Sequence, residues 1–237
     1  MFFWRQEIYP GRWAAFSDAG AGNLALHVGD EPASVLRRRA QLESAMDVPA
    51  GSLRFMHQTH SAHAVAVGSG DDRSAVVPAD ALISDDGSVP LAVMVADCVP
   101  VVLSARGGGG ATAVVHAGRQ GILGGIIENT VAQLRRNGTQ DLVAWIGPSI
   151  CGDCYEVPAG MRDDVAAVVP AARATTRWDT PGLDLPAAVA SQLQQVEVQV
   201  FPVGDDPAQL CTLDNESLYS HRRSPASGRF VGLVWNQ

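Results

Sequence analysis

"LAVMVADCVPVVLSARGGGGATAVVHAGRQG", residues 91–121, contains two apolar runs, which we place at 90–97 and 110–118. Unbroken runs of valine and alanine are typical of strands that are covered on both faces. The glycines at 107–110 predict a hairpin turn between the runs, because the lysine and hydroxyl residue of a phosphate-binding loop do not follow them. The stretch therefore predicts a β-sheet with a layer packed on each side.

Strands and helices alternate along the rest of the chain. Amphipathic patterns predict helices at 31–46, 121–136, 160–169 and 185–195. Further strands are predicted at 22–30, within 52–67 as a pair around a polar turn, and at 141–147, 196–203 and 228–235. Neither a linker nor a repeat interrupts this order. We therefore predict one domain over residues 1–237, with an α/β fold of mixed strands that is large enough for two sheets.

Composition narrows the class of partner. The 237 residues are 46% hydrophobic and 18% charged, with a formal net charge of −8. Nucleic-acid binding needs a strongly positive face, so small molecules or other proteins are the expected partners. No apolar run reaches about 18 residues, so we expect no membrane contact through a span. Arg5 and Glu7 interrupt the apolar N-terminus too early for a secretory signal.

The cysteines bear on both location and chemistry. Cys98, Cys151, Cys154 and Cys211 are too few to form a disulfide framework in a chain of this size, which favours a reducing cytoplasm. Cys151 and Cys154 form a C-x-x-C motif of the kind found in redox and metal sites. The motif lies in a loop before Tyr155, and no second C-x-x-C completes a four-cysteine zinc site. We therefore favour the interpretation that this motif has no function.

Reactive side chains stand where the predicted strands end. His60 closes the segment MHQTH, Asp97 and Cys98 end the first apolar run, and His116 ends the second. Sites in α/β sheets collect at strand ends, and neighbouring strands lie only about 4.8 Å apart. His60, Cys98 and His116 can therefore form a three-ligand zinc site with a fourth position open to water or substrate. The sequence leaves open an alternative in which Cys98 is a nucleophile and His116 its base.

Six motifs follow one another in a distinctive order. They are NLALHVGD (23–30), HQTH (57–60), ADALISDDGSVPLAVMVADCVPVVL (79–103), VVHAGRQGILGGIIENTV (114–131), IGPSICGDCYEV (146–157) and CTLDNESLYSHRRSPASGR (211–229). Together they make nearly the whole chain similar to the YfiH-type proteins, also called laccase-domain or multicopper polyphenol oxidoreductase-like proteins. The resemblance implies a single-domain four-layer α-β-β-α sandwich with two mixed β-sheets. It also implies a metal site at His60, Cys98 and His116.

The resemblance implies several activities. The first is a zinc-dependent purine nucleoside phosphorylase, which cleaves adenosine, inosine, guanosine or methylthioadenosine with phosphate and also deaminates adenosine. Its partners are then a purine nucleoside and inorganic phosphate, and the protein is a monomer or small homo-oligomer. The others are a copper-dependent polyphenol oxidase and a hydrolase that edits peptidoglycan precursors with Cys98 and His116.

Further residues are candidates for positioning and binding. Asp97 is a candidate orienting residue or general acid–base beside the metal site, and Gln58 is a candidate contact to substrate. Arg119 is a candidate substrate-binding residue that stands where the family has tryptophan. Gln120 stands where the family has arginine, so the direction of the guanidinium and the substrate preference are expected to differ.

Two arginines are candidates for binding phosphate. Arg222 and Arg223 follow a predicted helical turn in YSHRR, and a pair of guanidinium groups suits a phosphate group. The alternative is that both arginines bind the carbonyl end of the turn. The sequence does not decide between these two arrangements.

The histidine count argues against laccase chemistry. A multicopper oxidase needs many histidines in H-x-H pairs, whereas this chain has six in all, at positions 27, 57, 60, 63, 116 and 221. A non-catalytic binding module with a structural zinc ion is also open. Such a site would need a fourth protein ligand, for which Cys151, Cys154 and His57 are the candidates.

Overall fold

A computed structural model describes residues 1–72 and 76–237. Within them the strands are β1 Phe2–Tyr9, β2 Arg12–Ser17, β3 Ala64–Ala66, β4 Ala81–Ser84, β5 Leu91–Val95, β6 Val99–Ala105, β7 Thr112–Ala117, β8 Leu142–Ile146, β9 Arg173–Thr175, β10 Pro181–Leu183, β11 Gln199–Phe201 and β12 Phe230–Asn236. The α-helices are α1 Pro32–Met46, α2 Arg119–Leu123, α3 Ile126–Arg136, α4 Ala159–Val168 and α5 Leu185–Gln195. None of these helices has the length and apolar character to span a bilayer.

Most strands belong to one of two sheets. The first has the order β1-β2-β12-β5 and is antiparallel throughout. The second has the order β11-β8-β6-β7-β4-β3; its inner pairs are antiparallel, and its two edge pairs are parallel. The predicted α/β fold class is confirmed, with the difference that one sheet is mixed and the other is antiparallel.

The two sheets pack face to face, and helices cover their outer faces. In β12, Leu233 and Trp235 pack against α1, while Val234 points between the sheets. In β6, Val102 points between the sheets, while Val101 packs on the side of α3, α4 and α5. This alternation follows from the two-residue period of a strand. It produces the four layers α-β-β-α that the family resemblance implies.

The stretch 91–121 contains three strands where the sequence predicts two. β5 lies in the antiparallel sheet, whereas β6 and β7 form a hairpin of the mixed sheet. The glycine-rich turn therefore connects β6 to β7. The sequence did not predict β6 because Pro100, near the start of this strand, cannot donate a backbone hydrogen bond and is unfavourable inside a sheet. The Pro100 carbonyl still accepts a hydrogen bond from the Gly147 N–H, at 2.9 Å. Asp97 and Cys98 consequently lie where the chain crosses from one sheet to the other.

Other segments also differ from the prediction. Residues 22–30 contain no strand, because the Asn23 side chain bonds both the N–H and the carbonyl of Ala25 and closes a local turn. Within 52–67 only β3 is a strand. The helix predicted at 121–136 is divided into α2 and α3, because Gly125 adopts a φ of +79°, which a helix cannot contain. The remaining predicted helices and strands lie within a few residues of α1, α4, α5, β8, β11 and β12.

Candidate metal centre and substrate clefts

The pairing of β6 with β7 brings Cys98 and His116 together. Cys98 directly precedes β6, and the antiparallel register places Pro100 opposite His116 and Val99 opposite Ala117. The start of one strand therefore lies beside the end of the next. Two residues that are distant in the sequence become neighbours at one end of these two central strands.

His60 reaches the same point from a loop. Its φ of +60° lies in the left-handed region, which is uncommon for a residue with a side chain and is found preferentially at functional sites. The carboxylate of Asp80 holds this loop, because it accepts hydrogen bonds from the N–H groups of His60 at 3.0 Å and Ser61 at 2.6 Å. The loop, and not a strand end as the sequence suggested, presents His60.

Asp80 also holds the second histidine. Its Oδ1 lies 2.7 Å from Nδ1 of His116, and its backbone carbonyl accepts the His116 N–H at 2.7 Å. Burial alone would raise the pKa of Asp80, but hydrogen bonds from His116 and Ser61 outweigh burial and lower it well below the ordinary range. Asp80 is a candidate positioning residue that the sequence analysis missed. The available signal was its position directly before β4.

The three candidate ligands meet at one point. The ligand atoms of His60, Cys98 and His116 all lie within 4.8 Å of one another, and His60 Nε2 is 3.8 Å from Cys98 Sγ. The two imidazole rings meet edge to face, with centroids 4.8 Å apart. Gly118 leaves room for them: a Cβ there would lie 2.8 Å from His60 Cδ2 and 3.3 Å from Cys98 Sγ.

The protonation states of Cys98 and His116 depend on each other. Burial raises the pKa of a thiol, but the charge of His116 and hydrogen bonds from both histidines outweigh burial and lower the pKa of Cys98 to about 6. Burial lowers the pKa of an imidazole, but the Cys98 thiolate and the Asp80 carboxylate raise the pKa of His116 to about 9. At neutral pH the metal-free pair is therefore a thiolate beside an imidazolium.

This donor set fits a zinc ion. Two imidazoles and one thiolate are ligands that zinc accepts, and three protein ligands are typical of catalytic rather than structural zinc sites. Asp80 supplies the carboxylate that commonly orients a zinc-bound histidine from its far nitrogen. Copper also accepts this donor set. His60, Cys98 and His116 are therefore the residues that would hold either ion.

Two clefts meet at these ligands. A smaller one of about 230 Å³ extends along Met94 to Ala96, and a larger one of about 390 Å³ extends past Arg119 and Tyr155. His60, Ala96, Cys98 and His221 line both clefts. A molecule in either cleft therefore contacts the candidate metal centre.

Gln58 and Asp97 are both engaged with the protein around the centre. The amide of Gln58 donates to the Met94 carbonyl at 2.7 Å and accepts the Met94 N–H at 2.9 Å. The carboxylate of Asp97 accepts from Thr212 Oγ1 and from the Arg222 N–H, each at 2.6 Å. Both side chains therefore position the walls of the clefts. This favours the orienting role predicted for Asp97 over the acid–base role.

The predicted arginines separate into two groups. Arg119 and Arg222 line the larger cleft, where Arg222 donates to the Glu156 carbonyl at 2.9 Å and lies over the Tyr155 ring at 4.9 Å. Arg223 lies outside both clefts and donates to backbone carbonyls, including that of Thr212 at 2.8 Å. Arg223 therefore adopts the alternative arrangement, and the fork predicted with Arg222 is not formed.

The clefts contain residues to which the sequence analysis gave no role. His27 and Arg229 line the smaller cleft, Tyr155 lines the larger one, and His221 lines both. Burial, together with the charge of Arg229, lowers the pKa of His27 below its ordinary value. All four lie inside the six family motifs, but no spacing rule distinguishes them there.

The other histidines and cysteines do not join the centre. Among the described residues, the groups that could hold a metal are His60 with Cys98 and His116, and Cys151 with Cys154 and Cys211. The described part of the chain thus offers no cluster of several histidines of the kind a multicopper oxidase needs. Cys151, Cys154 and His57 are also not close enough to close the first group with a fourth ligand.

The fold and the centre define a class: a four-layer α/β protein with a three-ligand candidate metal site at the meeting point of two clefts. The chain belongs to the family described as "Multi-copper polyphenol oxidoreductase laccase", whose model matches residues 11–237. The resemblance seen in the sequence is thereby confirmed. One domain over residues 1–237 stays a prediction.

Named relatives and solved structures agree with this assignment. The chain is 40% identical over 215 residues to a purine nucleoside phosphorylase of Mycobacterium tuberculosis, covering 90% of this chain and 84% of the relative. It is 38% identical over 233 residues to a purine nucleoside phosphorylase of Streptomyces coelicolor, covering 96% and 93%. The crystal structure of the hypothetical protein YfiH from Bacillus licheniformis superimposes with a TM-score of 0.85 at 27% identity, covering 98% and 95% of the two chains.

Proposed function

We propose that this protein is a zinc-dependent purine nucleoside phosphorylase, which transfers the ribosyl group of a purine nucleoside to inorganic phosphate. The names of relatives at 38–40% identity support this activity. The observation that carries the proposal is the position of His60, Cys98 and His116 where a cleft with two arginines meets a second cleft. Two clefts that meet at one centre can hold two substrates side by side, as a reaction between them requires.

The larger cleft is the proposed phosphate compartment. Arg119 and Arg222 both line it, and guanidinium groups suit the geometry of phosphate oxygens. Arg222 is held in place by the Glu156 carbonyl and by the Tyr155 ring, so less side-chain entropy is lost when phosphate binds. A zinc ion at the centre would orient phosphate or water and add positive charge to the site. Because zinc also activates water as a nucleophile, we include adenosine deamination in the same proposal.

The smaller cleft is the proposed nucleoside compartment. The Met94 backbone forms one wall of this cleft, and Gln58 holds it by hydrogen bonds to both its N–H and its carbonyl. A flat base can lie against such a strand edge. In the reaction a phosphate oxygen bonds to the ribose C1′ while the bond from C1′ to the base breaks. The departing base then needs a proton. His221 lines both clefts and is the proposed donor.

A product assay tests the proposal. Protein of measured metal content is incubated with adenosine, inosine or methylthioadenosine, with and without phosphate, and the products are separated. Release of free base and ribose 1-phosphate only in the presence of phosphate supports the phosphorylase, and inosine formed from adenosine supports the deaminase. Absence of turnover of every nucleoside would overturn both.

Variants locate the phosphate compartment. Arg119→Gln and Arg222→Gln should each raise the KM for phosphate by about tenfold or more, because one charge-assisted contact is lost. Arg106→Gln is the matched control, because Arg106 pairs with Asp141 at the opposite end of the β6–β7 hairpin. An unchanged KM in both cleft variants would place phosphate elsewhere.

One observation favours a second candidate function. The Asp80 carboxylate orients the His116 imidazole at 2.7 Å, and Cys98, a thiol with a lowered pKa, lies beside that imidazole. This is the arrangement of a cysteine hydrolase, and it fits the editing of a peptidoglycan precursor. In that case Cys98→Ser would keep full metal content while losing activity. In the phosphorylase, the same substitution would lose metal and activity together.

The remaining details of the proposal concern location and assembly. All four cysteines are free thiols, which is the state that the reducing cytoplasm maintains. The cytoplasm is therefore the proposed location, and a monomer or small homo-oligomer is the proposed assembly. Fractionation and light scattering would test these two points.

A further inference from the structure

The C-x-x-C motif has a third partner that the sequence did not reveal. The sulfur atoms of Cys151, Cys154 and Cys211 all lie within 4.8 Å of one another, and all three cysteines are free thiols. Cys154 and Cys211 are buried and Cys151 is half-buried. This trio, here called the three-sulfur cluster, lies outside both clefts of the candidate metal centre.

The backbone assembles the three-sulfur cluster independently of the sulfur atoms. Ser149 and Cys211 pair as an isolated parallel bridge, in which the Ser149 N–H donates to the Leu210 carbonyl at 3.0 Å and the Thr212 N–H donates to the Ser149 carbonyl at 3.1 Å. A tight turn, closed by the Cys154 N–H on the Cys151 carbonyl at 3.1 Å, returns the second cysteine to the first. Two loops that are far apart in the sequence are thus fixed with their thiols facing each other.

We propose that Cys151, Cys154 and Cys211 bind a thiophilic closed-shell cation, zinc or copper(I), as a second metal site. A metal ion replaces the protons of its thiol ligands, and a soft cation stabilises three adjacent thiolates that would otherwise repel one another. A zinc–sulfur distance of about 2.3 Å places ligand sulfurs roughly 3.8–4.0 Å apart. The upper limit of 4.8 Å in the metal-free chain is therefore within a small side-chain movement of that geometry.

The surroundings of the cluster suit a metal site. Cys154 Sγ lies 3.4 Å from a carboxylate oxygen of Asp214, and Arg177 donates to both oxygens of Asp214, at 2.8 and 2.7 Å. The Cys154 thiol donates its proton to this carboxylate, and a proton must leave each thiol when a metal ion binds. Cys151 and Cys211 also line a separate cleft of about 430 Å³, through which an ion can reach the sulfur atoms from solvent.

The three-sulfur cluster lies behind the wall of the candidate metal centre that contains Asp97. Thr212, next to Cys211, donates to the Asp97 carboxylate at 2.6 Å, and Ile150, next to Cys151, donates its N–H to the Asp97 carbonyl at 3.0 Å. An ion that joins the two loops would therefore fix both contacts to Asp97. The second site would thus hold two loops together without contacting substrate, and failure of this proposal would not contradict the proposed phosphorylase activity.

Metal stoichiometry tests the second site. Metal-free protein is loaded with Zn²⁺, or with copper(I) without oxygen, passed through a gel-filtration column and analysed for ions per chain. We expect two ions in the unmodified chain, one in Cys211→Ser, one in the matched variant Cys98→Ser, and none in the double variant. One ion in the unmodified chain, or equal content in the unmodified chain and Cys211→Ser, would overturn the proposal.

A second measurement remains decisive if Cys211→Ser does not fold. The metal-free and Zn²⁺-loaded unmodified chains are alkylated with iodoacetamide, and the modified peptides are identified by mass. Zinc should protect Cys151, Cys154 and Cys211 together. Alkylation of these three at unchanged rates, or a disulfide between two of them in protein prepared under reducing conditions, contradicts a metal site.

Thermal stability gives a third readout. In the Cys98→Ser background, Zn²⁺ at about a hundred times its dissociation constant should raise the Tm by about 5–10 °C. In the double variant Cys98→Ser/Cys211→Ser the shift should disappear. An equal shift in both variants would show that zinc binds elsewhere.

Discussion

The candidate metal centre and the three-sulfur cluster have the same arrangement of three ligand atoms in different surroundings. In each, three side chains from separate parts of the chain bring their ligand atoms within 4.8 Å of one another. The first has mixed nitrogen and sulfur donors and opens into two clefts that carry arginines. The second has sulfur donors alone and lies between two loops. The donor atoms therefore indicate which ions each group can hold, whereas the surrounding residues indicate what a bound ion would do.

The largest expected effect separates the two sites by function. Cys98→Ser should reduce phosphorolysis by about 10³-fold or more, because a bound ion contributes several kcal/mol to stabilising charge in the transition state. Cys211→Ser should keep turnover within about fivefold and lose thermal stability instead. Single-turnover rates and melting curves of both variants measure this contrast. Equal losses of turnover would show that the two groups act as one site.

The second prediction concerns Asp80. Asp80→Asn should weaken zinc binding by about 10- to 100-fold, because the amide cannot accept all the hydrogen bonds that orient His116 and shape the His60 loop. Competition with a chromophoric chelator measures the affinity. Asp86→Asn is the control, since Asp86 lies beyond the other end of β4 and bonds Ser88. Equal affinities in these two variants would contradict a role for Asp80.

The same substitution should change the acid sensitivity of the fold. The pKa of Asp80 is lower in the folded chain than in the unfolded chain, where it is about 3.9. Its contribution to stability is therefore fully present above that value and is lost as the pH falls toward the folded pKa. Below about pH 4, denaturation of the unmodified protein should depend more steeply on pH than denaturation of Asp80→Asn.

The third prediction tests the space around the ligands. Gly118→Ala should weaken zinc binding by about tenfold, because the new Cβ would lie 2.8 Å from the His60 ring and must displace it. Gly118 has a φ of −77°, so alanine causes no backbone strain. Gly160→Ala is the matched control, because nothing lies within 4 Å of the position that its new methyl group would take. An unchanged zinc affinity in Gly118→Ala would mean that His60 is not a ligand.

The smallest expected effect is a difference in alkylation rate between the thiols of Cys98 and Cys154. In metal-free protein, the rate of Cys98 alkylation should fall with a midpoint near pH 6 as the pH is lowered, because the thiolate is lost there. At pH 7 Cys98 should react about fourfold faster than an ordinary thiol, since its larger thiolate fraction is partly offset by lower nucleophilicity. The pKa of Cys154 is raised by burial, so its midpoint should lie above the ordinary value. Coincident midpoints would contradict the ion pair with His116.

Local patterns predicted the elements, and strand ends predicted the candidate centre. Helices α1, α4 and α5 follow from their apolar periodicity, and His60, Cys98 and His116 were expected together because each follows an apolar run. Pro100 concealed β6, since proline is unfavourable inside a sheet. Hydrophobic periodicity did not reveal the hairpin of β1 and β2 either.

Long-range backbone contacts set the limit of what the sequence could reveal. Asp80 acts mainly on the backbone N–H groups of a distant loop, and such contacts leave no side-chain pattern. Cys211 lies beside Cys151 and Cys154 because a long-range bridge joins Ser149 to Cys211. Arg223 turns to backbone carbonyls for the same reason, because their positions depend on the folded loop.

The carboxylate of Asp80 has a mechanical consequence. It hydrogen-bonds the His116 imidazole and the backbone of the His60 loop at the same time, so neither histidine can move without disturbing the other. The positions of the two histidine ligands are therefore coupled through one carboxylate. Loss of this carboxylate should displace both imidazoles together, and centres in which only one histidine is in place should be rare.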